Sequence, residues 1–236
     1  MVIKYSSGIV RDLERFYRIL NTIKERVGGE RQLRACNGRM NWPRRGVYFF
    51  FEPGENKSSG TGLRVVRVGT HAVSNGSGTT LWTRLRTHRG ALSGGGNHRG
   101  SIFRLHVGTA LLARGDYPDA VRQSWGRGSS APKEVRRAEQ GLERAVSEYI
   151  GKMPFLWLGV DDEPGPESMR KYIERNAVAL LSAASRSRID PPSDGWLGYS
   201  CRHEAVRMSG LWNVDHVFDD YDPGFLELFE QLAGQK

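Results

Sequence analysis

Two side chains spaced by four residues, Arg84 and His88, carry the clearest potential for phosphate chemistry in this sequence. Thr79 or Thr80 predicts the start of a helix that ends near Arg89, so Arg84 and His88 share one helical face. An arginine presents a planar fork to two phosphate oxygens, and a histidine exchanges a proton near neutral pH. The pair therefore indicates phosphoryl chemistry, although a basic surface helix produces the same spacing.

Glu174 is an acidic residue on a mostly apolar helical face. In the helix predicted over residues 167–184, its neighbours three, four and seven positions later are Ala177, Val178 and Leu181. A carboxylate in such a place costs free energy unless it is paired or bound to a metal ion. The position suits a metal ligand, and an ion pair with an arginine is the structural alternative.

A tyrosine on a predicted strand and an asparagine in a later turn are the other candidate side chains. Tyr48 follows Gly46 and Val47 in a run rich in β-forming residues, where packing is the ordinary role of a tyrosine. Asn213 ends an apolar and aromatic turn, Ser-Gly-Leu-Trp-Asn, that would hold an amide near a cleft. Neither pattern is specific when taken alone.

The net charge of +9 is concentrated in about one quarter of the 236-residue chain. Between Asn56 and Gly115 there is no acidic residue, whereas nine lysines and arginines and four histidines lie there. A surface that faces phosphates is the favoured explanation, and solubility alone is the alternative. The candidate nucleic-acid-binding residues of this stretch are Arg64, Arg86, Arg89, His98, Arg99 and Arg104.

The elements that must position these groups follow from periodicity and turn residues. Apolar residues between positions 9 and 27 recur at helical spacing, and residues 46–51 and 63–69 predict a β-hairpin with a long loop. Alternation over residues 102–107 predicts a half-buried strand, and the apolar run 155–160 predicts a buried one.

Later segments complete the predicted order. Helices are predicted over residues 132–150 and from residue 223, residues 116–130 are predicted to be irregular, and residues 209–217 are predicted to be a short strand or an ordered loop. The whole order predicts an α/β (α+β) domain with a small mixed central β-sheet flanked by helices.

Composition excludes several classes of protein. Hydrophobic residues make up 38% of the chain, enough for a globular core, and no run is long and apolar enough for a membrane span. Cys36 and Cys201 are too few for a disulfide framework or a four-cysteine zinc site. The first residues lack the apolar run of a secretory signal, so a cytoplasmic setting is expected.

Taken in order, these features resemble the GIY-YIG nuclease family. Gly46-Val47-Tyr48 matches the first half of the family signature, and Arg67-Val68-Gly69 occupies the place of the second half, with arginine where the family has tyrosine. The later Asp-Pro-Gly at residues 222–224 is similar to a segment of the family's restriction enzymes. The residues that match catalytic positions of the family are Tyr48, Arg67, Arg84, His88, Glu174 and Asn213, with Asp190 as a rival to Asn213.

The resemblance implies a GIY-YIG-like fold that hydrolyses phosphodiester bonds with one divalent metal ion bound by Glu174, Mg²⁺ being expected and Mn²⁺ being the alternative. It implies that Arg84 holds the scissile phosphate and that Tyr48 orients or deprotonates the attacking water, with Arg67 as its cationic neighbour. His88 would relay a proton or contact a phosphate. Asn213 would orient Tyr48 or the region of the glutamate.

The resemblance also implies a substrate and an organisation. A restriction or defence endonuclease acting on double-stranded DNA is expected, and cutting two strands with one active site suggests a homodimer. Residues 1–45 would form an N-terminal helical extension, residues 46–217 the nuclease core with an insertion at about 110–152, and residues 218–236 a C-terminal helix.

Three alternatives stay open at the level of sequence. The loss of the second signature tyrosine at Arg67 is compatible with a catalytically decayed nucleic-acid-binding module. A purely structural basic protein is the second alternative. The third is a zinc site, and its ligands would be Cys201, His203, Asp215 and His216.

Overall fold

The computed structural model describes residues 7–60, 62–184 and 189–235. A four-stranded antiparallel sheet forms the centre, with the strand order β1-β4-β2-β3. The strands are β1 (Arg31–Gln32), β2 (Gly46–Asn56), β3 (Leu63–Gly69) and β4 (Pro154–Gly159). This architecture confirms the α/β (α+β) prediction.

Helices cover both faces of the sheet, and each face has its own apolar core. The α-helices of the described residues are α1 (Ser7–Arg26), α2 (Leu81–Arg89), α3 (Ile102–Arg114), α4 (Asp119–Ser124), α5 (Lys133–Ala138), α6 (Gln140–Lys152), α7 (Met169–Leu181), α8 (Glu204–Ser209) and α9 (Phe225–Gly234). One core joins α1, α7 and α9 to the sheet, and the other joins α2, α3 and α6 to it. No helix in these ranges is long and apolar enough to cross a membrane.

The hairpin is tighter than its sequence suggests. Strand β2 continues through the turn-like residues after Phe51, and Asn56 still pairs with Leu63. The turn is therefore closed by two hydrogen bonds, from Lys57 N–H to Gly62 O at 3.0 Å and from Gly60 N–H to Lys57 O at 2.9 Å. The prediction of a long loop over residues 52–62 is corrected accordingly.

The predicted strand over residues 102–107 is wrong, because this segment begins helix α3. The Ser101 hydroxyl accepts the N–H of Arg104 and caps the helix. Phe103, Val107 and Ala110 then face the core at helical spacing. A six-residue window that alternates apolar and polar residues does not distinguish these two structures when the polar side chains are themselves buried.

Other segments differ in detail from their predictions. The irregular stretch after Asp116 contains helix α4, and the helix predicted over residues 132–150 is divided into α5 and α6. Residues 209–217 contain no strand and form an ordered loop. In that loop the N–H of Trp212 donates to Val66 O at 2.7 Å, along the outer edge of β3.

Candidate active site

Strand pairing places Tyr48 directly against the glycine that ends β3. Tyr48 pairs with Gly69, and its side chain is fully buried. A Cβ atom on Gly69 would lie 2.3 Å from the Tyr48 hydroxyl, so only glycine leaves room for the ring. The two halves of the signature therefore meet side by side, as the sequence spacing implies.

Arg67 projects from β3 on the same face of the sheet as Tyr48. It pairs with Phe50, and a register shift next to this pair is the mark of a β-bulge. Its guanidinium donates to Trp212 O at 2.5 Å, lies 4.9 Å from the centre of the Phe103 ring and interacts with the Tyr48 hydroxyl. A cation thus contacts the phenol at this position.

A chain of hydrogen bonds leads from Tyr48 into the protein. The Tyr48 hydroxyl lies 2.8 Å from Nε2 of His88, and Nδ1 of His88 lies 2.8 Å from the Ser101 hydroxyl. Burial, with help from nearby arginines, lowers the pKa of His88 well below its ordinary value. His88 is therefore neutral at neutral pH, so one of its ring nitrogens donates a hydrogen bond and the other accepts one.

Arg84 and Glu174 come from different helices and line the same cavity, about 200 Å³ in volume. Helix α2 is capped by the Thr80 hydroxyl and directs Arg84 into the cavity, while His88, one turn later, reaches Tyr48. The Nε atom of Arg84 is buried and has no hydrogen-bond partner among the described residues. A guanidinium in this state is ready to bind an anion.

The remaining walls of the cavity come from the loops after β3 and after α8. Tyr48 and His88 do not line the cavity; Arg67 stands between it and the phenol. The lining residues are Arg67, Thr70, Val73, Arg84, Ile102, Glu174, Val178, Asn213, Val214, Asp215 and His216.

Glu174 is half-buried and is held by a single hydrogen bond. Its Oε1 atom accepts the N–H of Thr70 at 3.1 Å, and the Thr70 hydroxyl donates to Gly46 O at 2.9 Å. Burial raises the pKa of Glu174, an effect that Arg67 and this N–H oppose. No ion pair within 4.0 Å joins Glu174 to an arginine of the described ranges.

This environment fits a divalent cation. Mg²⁺ keeps several waters and commonly takes one or two protein carboxylates. Glu174 supplies one carboxylate in an accessible cavity, and Asp215 on the same wall is a second oxygen donor. The described residues hold no group of three or more histidine, cysteine or acidic side chains spaced for a metal, so a site closed by protein ligands alone does not fit.

The same observation bears on the zinc alternative. Cys201 lies 3.8 Å from Nδ1 of His106, whereas His216 bonds Asp219 at 2.9 Å. Cys201 and His203 therefore do not join Asp215 and His216 in a ligand group.

Asn213 acts on the backbone of β3. Its Oδ1 accepts the Val68 N–H at 3.1 Å, and its Nδ2 donates to Val68 O at 2.8 Å. This double contact uses both ends of the amide, so Asn213 fixes the strand that carries Arg67 and Gly69. Asp190 is elsewhere, where its Oδ1 accepts the Ser58 N–H at 2.8 Å.

Three of the six candidate nucleic-acid-binding residues form ion pairs or hydrogen bonds with Glu139 or Glu143, two acids that precede β4. Arg104 is fully buried and bonded to Glu143, His98 bonds the same carboxylate at 3.0 Å, and Arg99 binds Glu139 at 2.6 Å. A side chain buried in an ion pair does not reach a phosphate, so these three have no place in a DNA-binding surface.

The other three candidates differ from one another. Arg64 is also buried, in an ion pair with Glu55 at 2.8 Å. Arg89 donates to Cys36 O at 2.6 Å, and Arg86 is exposed. Only Arg86 is therefore fully open to a ligand.

Two residues of the site were not singled out from the sequence. Thr70 positions Glu174 through its N–H, and Ser101 ends the hydrogen-bond chain of His88. Thr70 follows the Gly69 that ends a predicted strand, and a serine before an apolar run is a helix-capping signal. Both signals are present in the sequence, but neither points to chemistry by itself.

Comparison with protein families gives one match. A family model described as a GIY-YIG domain matches residues 7–236, nearly the whole chain. Comparison with curated proteins finds no match, and comparison with solved structures finds none. The domain is that of a nuclease family whose members cut DNA and generally depend on divalent metal ions. With its signature residues on paired strands and Arg84 facing Glu174, this chain belongs to the GIY-YIG domain family.

Proposed function

We propose that this protein is an Mg²⁺-dependent endonuclease that cuts double-stranded DNA, acting in the cytoplasm in restriction of invading DNA. Mn²⁺ is expected to replace Mg²⁺. The observation that carries the proposal is the meeting of Arg84 and Glu174 on one accessible cavity, with Arg67 joining that cavity to Tyr48. Cutting both strands calls for two active sites, so we also propose at least transient self-association.

The proposed reaction is in-line attack of water on phosphorus. Arg84 would bind the scissile phosphate through the part of its guanidinium that lines the cavity. Glu174 would hold the cation together with water. When bound, the cation supplies Lewis-acid stabilisation of the charge on the phosphate and on the leaving oxygen.

Tyr48 is the proposed acceptor of the water's proton. In the free protein its hydroxyl is covered by Arg67 and Gly69, so the proposal requires Arg67 to turn towards the bound phosphate. His88 is neutral and hydrogen-bonded to the phenol, and its lowered pKa opposes protonation, so it orients the phenol. In the proposed step Tyr48 has released its own proton to solvent, reacts as a phenolate beside Arg67, and takes one proton from the attacking water. Arg67 in this role replaces the second signature tyrosine.

Substitution of Glu174 by alanine tests the proposal. We expect Glu174→Ala to lose Mg²⁺-dependent cleavage of plasmid DNA, because the cation loses its protein carboxylate, while DNA affinity in the absence of metal is retained. The exposed Glu167, close in the chain and outside the cavity, gives the matched control Glu167→Gln. Metal-dependent cleavage that persists in Glu174→Ala would refute the assignment.

The same assay distinguishes the proposed nuclease from a catalytically decayed nucleic-acid-binding module. A wild-type protein that binds duplex DNA but cleaves it with neither Mg²⁺ nor Mn²⁺ would favour that alternative and contradict the proposed activity.

A further inference from the structure

Residues 31–45, the later part of the segment between α1 and β2, contain five arginines and no acidic residue, and the preceding Glu30 is paired with Lys24. Four of them, Arg31, Arg34, Arg39 and Arg44, are exposed. The fifth, Arg45, is buried and lies 3.6 Å from each of two exposed acids, Asp161 and Glu163. This segment is named the basic segment below.

In the part of the chain that the structure describes, the exposed arginines of the basic segment form no ion pair within 4.0 Å, although Lys152, with help from nearby Arg34, lowers the pKa of the Glu148 carboxyl. Among them, Arg34 donates from Nε to the side-chain oxygen of Gln32 at 3.0 Å. The contrast with Arg64, Arg99 and Arg104 is clear, since those arginines are neutralised by buried glutamates. Among the described residues, the other six cations of the acid-free stretch form no ion pair, so the free positive charge comes from that stretch as well as from the basic segment.

The basic segment is fixed to the helix that carries Arg84. The N–H of Leu81, the first residue of α2, donates to Arg44 O at 2.9 Å. The Trp42 and Trp82 rings stack with centroids 5.3 Å apart and planes 17° apart. Gly38 lies against the edge of Trp82, where a Cβ would be 2.7 Å from Nε1.

The exposed Arg86 shares a face of α2 with Trp82, four residues earlier, and so extends this surface along the helix. The end of the basic segment also leads directly to the active site. Gly46, the next residue after it, accepts the Thr70 hydroxyl, and the Thr70 N–H binds Glu174. A phosphate chain that crosses Arg44 and Arg86 would thus be close to the candidate active-site cavity.

We propose that Arg31, Arg34, Arg39, Arg44 and Arg86 form a surface that binds the phosphates of a DNA duplex beside the scissile bond. The proposal rests on the proposed function and adds the place where the substrate is held. Exposed guanidinium groups without acidic partners bind phosphate and release counterions. Contacts of this type fix the register of the duplex on the protein but do not read its base sequence.

The aromatic residues of this surface favour a duplex over a single strand. Single-strand binders offer free aromatic faces for bases. Here Trp42 stacks on Trp82 and contacts Phe155 and Trp157, and Arg89 lies 5.1 Å from the Trp82 ring. The rings pack against protein, so the arginines provide the contacts.

The test is the triple variant Arg39→Gln/Arg44→Gln/Arg86→Gln in the full chain, with binding to a fluorescent DNA duplex measured by anisotropy in EDTA. We expect the affinity to fall about tenfold or more at moderate salt. The slope of log affinity against log salt between about 50 and 200 mM should become shallower by roughly 2 to 3, about one per lost phosphate contact. Circular dichroism melting checks that the fold is retained.

The matched control removes the same charge elsewhere. Arg18→Gln/Arg136→Gln/Arg137→Gln changes three exposed arginines of α1 and α5 and should keep the wild-type slope. A wild-type slope in the first triple variant, or an equal loss in the control, would overturn the proposal. An RNA duplex of the same sequence that binds more tightly than DNA would also overturn it.

Failure of this surface and failure of the proposed function give different results. A wild-type protein that binds without cleaving, with binding weakened in the first triple variant, contradicts the function and supports the surface. A wild-type protein that cleaves, with unchanged binding in that variant, supports the function and contradicts the surface.

Discussion

At the scale of single residues, small contacts decide where the reactive atoms lie. Gly69 is necessary because the Tyr48 hydroxyl occupies the space that a side chain would take. The sequence identifies Glu174 as a candidate site residue because an acid on an apolar helical stripe costs free energy unless it is paired or bound to a metal ion. The burial of Arg104 in an ion pair is not predictable from sequence, because its partner Glu143 lies 39 residues away and only the fold brings them together.

Substitution of Gly69 by alanine tests the contact with Tyr48. The new Cβ would lie 2.3 Å from the hydroxyl and displace it from His88 and Arg67. We expect cleavage by Gly69→Ala to fall by about a hundredfold or more, the order of loss seen when a catalytic group is misplaced. Gly78→Ala is the control, since nothing lies within 4 Å of a Cβ there. Equal single-turnover rates for the two variants would contradict this role of Gly69.

At the scale of elements, periodicity predicts the structure where one face of a segment is apolar and the other is solvated. Helices α1, α2 and α7 follow from their sequences for this reason, whereas β4 follows from a continuous apolar run that is buried on both faces. The same reasoning fails at α3, where Arg104 and His106 are buried although they look like a solvent face. A window extended to Arg114 would include Ala110 and Leu111 and favour a helix.

The loop after α8 offers a second test at this scale. Asn213 closes the outer edge of β3 by two hydrogen bonds to Val68. Asn213→Ala leaves a buried N–H and a buried carbonyl without partners, which we expect to cost about 2 to 4 kcal/mol in the free energy of unfolding. Urea denaturation measures the loss, with the exposed Asn41→Ala as the control. A loss no larger than that of Asn41→Ala would show that Asn213 does not hold the strand.

At the scale of the whole molecule, folding redistributes charge that the sequence segregates. Glutamates from outside the acid-free stretch enter it and neutralise Arg64, Arg99 and Arg104. Composition alone therefore predicts a basic protein but does not show which of its cations are neutralised by buried acids. The pairing depends on contacts between residues far apart in the chain, which no local pattern encodes.

Buried histidines make the stability of the whole protein depend on pH. Burial lowers the pKa of His71 and of His106 from 6.5 to about 4. The unfolded chain binds protons first on acidification, so the stability from these neutral histidines is present above pH 6.5 and is lost as the pH falls towards 4.

The double variant His71→Gln/His106→Gln measures this dependence. Each histidine should contribute about 1.4 kcal/mol per pH unit to the fall in unfolding free energy below its unfolded pKa. Urea denaturation between these limits should therefore show a shallower pH dependence in the variant. Measurements above pH 6.5, where no difference in slope is expected, are the control. Parallel curves throughout the acid range would contradict the prediction.

The stacked pair Trp42 and Trp82 has an optical consequence. The other four of the six tryptophans are buried, whereas these two are half-buried between the basic segment and α2. Two indoles at this separation couple their electronic transitions and give a paired signal in circular dichroism. Because Arg44 and Arg86 flank the pair in sequence, an arriving duplex would perturb that signal. On the proposed surface, this intrinsic signal would therefore report DNA binding without a label.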